Sequence, residues 1–121
     1  TMVLVDTSVW IEHFRKGLPR LAELLNNSDV AIHPYIIGEL ACGTLNNREE
    51  ILDLLQTLDS IPEISLQELL RFIEMKKLQG KGIGFVDINL LASSLLSDCM
   101  LWTNDRKLHF IAQKMGIAHQ V

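Results

Sequence analysis

The sequence predicts an α/β fold, with a short and mainly parallel central sheet flanked by helices. Three features carry that reading. Continuously apolar runs, Met2-Val3-Leu4-Val5, Val30-Ala31-Ile32 and Met100-Leu101-Trp102, suit strands buried on both faces. Longer stretches of helical period separate them, and turn or cap residues mark the junctions. Strands alternating with helices in this way build parallel sheets.

The elements follow in order. The first apolar run stops at Asp6, and Asp6-Thr7-Ser8 offers cap chemistry to a helix carrying Val9, Trp10, Ile11 and Phe14. Gly17-Leu18-Pro19 breaks that helix, and Leu21, Leu24 and Leu25 mark a second short one before the strand at Val30-Ala31-Ile32. Pro34 suits a first helical turn, continued by Ile36, Ile37, Leu40 and Ala41 and ending near Gly43 or Asn46. Residues 48–58 form an amphipathic helix with acids in its first turn. Ile61 and Ile64 flank Pro62 in a short strand or extended piece. Ser65 and Glu68 make a capping box opening a helix with Leu69, Leu70, Phe72, Ile73 and Met75. Gln79 to Gly84 is a loop, and from Phe85 a helix runs to about Ser97. The strand Met100-Leu101-Trp102, a helix over 105–115 and a last strand at Ile117-Ala118-His119 follow.

Composition narrows the class. With 48% hydrophobic and 21% charged residues, the 121 residues support one packed core, and disorder is excluded. No repeat or linker interrupts them, so 1–121 reads as one domain. A net charge of −4 argues against a nucleic-acid binder built on a broad basic face. Charged residues interrupt every apolar stretch before it reaches membrane-spanning length, and no membrane association is expected. Cys42 and Cys99 form no CxxC pattern, and the first residues lack the form of a signal peptide; a reduced, cytoplasmic setting is expected.

Four acids stand where a core does not explain them. Asp6 ends the first strand, and Asp105 follows Trp102-Thr103-Asn104 after the fourth. Glu39 lies among Tyr35, Ile36, Ile37, Leu40 and Ala41, and Asp87 opens a largely apolar helix. Ligand crevices in parallel sheets lie beyond the carboxyl ends of strands, so Asp6 and Asp105 sit where function is expected. Any one Asp alone is better explained as a helix cap, and Glu39 equally as half of a buried ion pair with an Arg. Together they imply more. Convergent carboxylates either take up protons or are neutralised by a cation. An all-oxygen set without Cys or His favours Mg²⁺, or Mn²⁺, over zinc, and such an ion activates water against a phosphodiester.

Asp6-Thr7-Ser8-Val9-Trp10, Gly38-Glu39-Leu40, Val86-Asp87-Ile88 and Leu101-Trp102-Thr103-Asn104-Asp105, taken in order, resemble the PIN domain, and most closely its VapC-type ribonuclease toxins. The resemblance spans essentially the whole chain. It implies a Mg²⁺-dependent endoribonuclease, with Asp6, Glu39, Asp87 and Asp105 holding the ion and positioning water. It also implies a homodimer, structured cellular RNA as substrate and an antitoxin that blocks the groove. Thr7, Ser8 and Thr103 match polar positions bordering the family's site, with Asn104 beside them. His33 stands where the family often carries Ser or Thr, and Arg106-Lys107 follow the fourth motif in place of its usual short ending.

Other features weigh less. Gly80-Lys81-Gly82-Ile83-Gly84 follows a helix and lacks phosphate-loop spacing, so it reads as a plain loop. Lys76, Lys77 and Lys81 suit either a solvated helix end or an RNA backbone contact. Arg106 and Lys107, beside Asp105, are the better phosphate ligands. Trp10 and Phe14 read as core. A phosphorylated receiver-type domain, also small, acidic and Mg²⁺-binding, needs paired acids after the first strand, an acceptor Asp after the third and a Lys after the last, and none is present. A haloacid-dehalogenase-type phosphatase needs DxD where this chain has Asp6-Thr7-Ser8. A PIN-like scaffold without catalysis is the remaining alternative.

Overall fold

The computed structural model describes residues 1–121. β1 (Val3–Val5) leads into α1 (Thr7–Lys16) and α2 (Pro19–Asn26), and β2 (Val30–Ile32) into α3 (Pro34–Cys42) and α4 (Arg48–Leu55). β3 (Asp59–Ser60) precedes α5 (Leu66–Lys76) and α6 (Phe85–Leu96), and β4 (Met100–Trp102) precedes α7 (Arg106–Lys114). All strand pairs are parallel, in the order β3-β2-β1-β4. This is the α/β architecture the sequence predicts.

The strand order positions the site. Winding proceeds outward from β1 to β2 to β3, then crosses back to set β4 on the other side of β1. The carboxyl ends of β1 and β4 therefore flank the point where the winding reverses, and there an open sheet leaves a crevice. β1 and β2 are buried throughout, as their unbroken apolar character requires. α6 is enclosed as well: every residue from Ile88 to Ser94 is buried, and the Asn89 side-chain amide is satisfied by donating to the Phe85 carbonyl at 2.9 Å. Of the expected capping box one half forms, the Glu68 N–H donating to Ser65 Oγ at 3.2 Å, while the Glu68 carboxylate accepts from the Ser65 hydroxyl at 3.1 Å instead of from its N–H.

Three elements differ from expectation. The third strand is Asp59–Ser60, ahead of Ile61, and both residues are exposed on the sheet edge. The Ile61 N–H extends the pairing to the Ile32 carbonyl at 2.9 Å, and Pro62, without an N–H, ends it. At the other edge, Ile117–His119 forms only a single bridge, Leu101 with Ala118. α4 stops at Leu55, the remaining residues to Leu58 being a turn.

His33 caps α3 in place of the family's Ser or Thr. Its Nδ1 accepts from the Tyr35 N–H at 3.0 Å, which leaves the hydrogen on Nε2 to donate to Ser93 Oγ at 3.2 Å. Ser93 then donates to the Pro62 carbonyl at 3.1 Å. Burial holds the His33 pKa below the usual imidazole value, only partly countered by the charge of Glu63.

Candidate active site

Asp6 is the first residue beyond β1, and its N–H still pairs with the Trp102 carbonyl of β4 at 2.8 Å. The residue is only 7% exposed. Its carboxylate accepts from the Thr7 N–H at 2.8 Å, from Thr103 Oγ1 at 2.7 Å and from Ser8 Oγ at 3.3 Å. Donors of this number allow a carboxylate to be buried while charged. Thr103 accepts in turn from the Asp105 N–H at 3.1 Å, so one hydroxyl ties together the ends of β1 and β4.

Asp105 caps α7, its Oδ1 accepting from the Leu108 N–H at 2.9 Å, while Oδ2 has no protein donor. Asp6 likewise caps α1. Capping is therefore real at both positions, but each leaves an acid at the crevice. Asp87 is different: Gly84 occupies the cap position of α6, and Asp87 is its third residue. It is half-buried, and its pKa is pushed up to about 6. Burial is the main cause, followed by the charges of Asp6, Asp105 and Glu39, with the Gly84 backbone partly offsetting them. The repulsion places all four acids in one electrostatic basin.

Glu39 does not sit among apolar side chains as its sequence context suggests. Ile36 and Leu40 turn into the core, whereas Gly38 and Glu39 are exposed on the opposite face of α3. No Arg pairs with Glu39; its Oε1 accepts from Thr7 Oγ1 at 2.7 Å, linking α3 to α1 at the crevice.

The remaining expected residues line the same edge. The Asn104 N–H donates to Ser8 Oγ at 3.2 Å, and its side-chain amide donates to Glu12 Oε1 at 3.2 Å. Arg106 and Lys107 are exposed at the start of α7, outside any ion pair. Glu12 was not among the sequence candidates. Hydrogen bonds from Lys16 and Asn104 hold its pKa below the usual glutamate value. Its signal in the sequence is the four-residue spacing from Ser8, which puts both on one face of α1. Trp10 packs in the core as expected, stacked on Phe14 with centroids 5.7 Å apart, although Phe14 itself is partly exposed.

No three His, Cys, Asp or Glu side chains lie close enough to form a closed metal cage. A hard divalent ion does not require one, because Mg²⁺ keeps several waters and binds through one or two carboxylates. The all-oxygen donors fit such an ion, which would also offset the charges of Asp6, Asp105 and Glu39 that, after burial, raise the Asp87 pKa.

Comparison with known proteins agrees with this geometry. Residues 3–114 match the PIN domain. Over 118 residues the chain is 44% identical to ribonuclease VapC32 of Mycobacterium tuberculosis, strains CDC 1551 and H37Rv alike, covering 97% of this chain and 95% of the relative. The crystal structure of PAE2754 from Pyrobaculum aerophilum superposes with a TM-score of 0.66 at 18% identity, over 92% of this chain and 84% of that one, a likeness of fold. Family match, near-complete relative and acid-lined sheet edge lead to one conclusion: the chain belongs to the PIN domain family, in its VapC branch.

Proposed function

We propose that this chain is a Mg²⁺-dependent endoribonuclease and the toxin of a toxin–antitoxin pair. The observation that carries the reading is the half-buried Asp87 opening α6 near Asp6, Glu39 and Asp105, its pKa raised first by burial and then by their charges. The similarity to a ribonuclease over nearly the whole chain supports RNA as the substrate. One or two of those four carboxylates would ligate the ion directly, Mg²⁺ with Mn²⁺ as a substitute, and the others would face the waters it keeps. When bound, it makes a water nucleophilic and withdraws charge from a phosphodiester oxygen. The protein's own work is positioning. Thr103 and Ser8 fix the Asp6 carboxylate, Thr7 aims Glu39, and Asp105 is anchored by the α7 cap it forms. Asn104, Arg106 and Lys107 meet the substrate's phosphate and ribose edge.

The reading extends to a cytoplasmic homodimer of one-domain chains, released from a cognate antitoxin. No helix is long and apolar enough to cross a membrane. Exposed Ile11, Leu54, Leu66, Leu70 and Leu96 supply apolar surface that a second copy or an antitoxin covers.

Incubating the purified chain with total RNA tests the proposal. Cleavage is expected with Mg²⁺ and absent with chelator, and Asp6→Asn or Asp87→Asn lowers it by about 100-fold or more. Cutting that persists in chelator, or in both variants, contradicts the assignment. Growth arrest by the wild-type chain but not by Asp6→Asn tests the toxin role.

A further inference from the structure

Five of the chain's six lysines meet at one cleft. Lys76 and Lys77 end α5, Lys81 lies in the following loop, and Lys107 and Lys114 stand on α7. The cleft encloses about 450 Å³, and no carboxylate lines it. None of the five is in an ion pair, although the chain holds fifteen acids against eleven Lys and Arg. Like charges crowded without counterions raise the local potential and attract an anionic ligand.

Three further observations define that ligand. Lys107, Phe110 and Lys114 recur at helical spacing on one face of α7, and the exposed Phe110 ring lies 4.6 Å from Lys114 Nζ. A flat apolar ring framed by cations suits a strand that presents a base beside each phosphate. An acidic peptide has no flat group at every repeat. Lys77 adopts a left-handed backbone, φ +54°, at a helix end where glycine is the usual residue, so its side chain is kept at a conformational cost. Two chain segments also link the cleft to the elements that carry the acids. Lys107 is two residues from Asp105, and its Nζ runs so close over Gly82 that a Cβ there would meet it at 2.8 Å. The loop containing Gly82 enters α6 and its Asp87.

We propose that this cleft seats the backbone of single-stranded RNA leading to the acidic basin, with phosphates on the lysines and a base on Phe110. The choice of RNA over DNA rests on the ribonuclease reading; the anion-and-base site does not.

The test is binding of a labelled single-stranded RNA of about 20 nucleotides, followed by fluorescence anisotropy in chelator across a salt series. The full chain is compared with Lys76→Gln/Lys77→Gln/Lys114→Gln and, as an equal-charge control, Arg20→Gln/Arg48→Gln/Arg71→Gln. The lysine variant is expected to bind about tenfold or more weakly, with a salt dependence shallower by about 2, or about 0.7 for each lost phosphate contact. Phe110→Leu weakens binding about fivefold. Lys77→Gly weakens it about threefold while the melting temperature holds or rises, which separates binding from folding. Unchanged binding in the lysine variant, or an equal loss in the arginine control, overturns the proposal. Displacement by poly-glutamate as effective per charge as by RNA overturns it in favour of an acidic peptide. Lysine-dependent binding by a chain that cuts nothing with Mg²⁺ retains the cleft and removes the nuclease. Cutting by a chain whose binding ignores the lysines does the reverse.

Discussion

The acidic basin and the lysine cleft share α7 and the approach to α6, yet they are built in opposite ways. In the basin three of the four acids are held by side-chain hydrogen bonds: Asp6 by three donors, Asp105 by its helix cap, Glu39 by Thr7. The cleft's lysines stand on flexible stems, paired with no acid, over a partly apolar wall. Chemistry needs groups fixed to within fractions of an ångström, whereas backbone recognition tolerates adjustment. The difference teaches that charge in the first region is coupled to folding and charge in the second is nearly free of it.

That contrast breaks most readily at Thr103. Thr103→Val removes the hydroxyl shared by Asp6 and the Asp105 N–H, and a loss of about 1–3 kcal/mol in urea unfolding is expected, with Thr103→Ser restoring most of it. A neutral outcome would mean that the acids hold themselves in place without the scaffold.

Asp87→Asn sharpens the same point with opposite sign. The folded chain keeps a proton on Asp87 up to about pH 6, whereas the unfolded chain releases it near 3.8. Wild-type stability therefore falls as pH rises through that window and stays lower above it. A shift of about two units corresponds to about 3 kcal/mol, which solvent contact reduces to about 1. The Asn variant is expected to unfold later than wild type at pH 7, with the advantage gone near pH 4, as thermal melts at both values would record. Lys114→Gln, the smallest effect, should change stability by no more than about 0.5 kcal/mol, the worth of an exposed cation–π contact to Phe110. A larger loss would place the cleft with the scaffold.

Elements whose side chains are enclosed are legible in the sequence. β1, β2, β4 and α6 announce themselves as apolar runs because both faces, or all sides, are buried. β3 does not, since an exposed edge strand of Asp59 and Ser60 joins the sheet through backbone hydrogen bonds alone. The acids stand out through their misfit with their neighbours. At Glu39 the apolar context misleads, because Gly38 and Glu39 lie on the exposed face of α3. Glu12 hid as an ordinary helical acid, although Asn104, distant in the sequence, reaches it. In the sequence the cleft is legible only as Lys76-Lys77-Lys81 and, apart from them, Lys107, with Lys114 unmarked, since the approach of α7 to the end of α5 is a tertiary fact.

The bond from His33 to Ser93 joins the helix of Glu39 to the helix of Asp87 from behind, inside the core. The front of the molecule, where Glu39 and Asp87 stand, is thus gauged by a neutral ring that never meets it. Below about pH 6.5 the unfolded chain binds a proton that the buried ring resists, so acidification draws on stability at this hinge pin. Serine, too short to reach across, could close the helix but would leave the two halves of the basin unlatched.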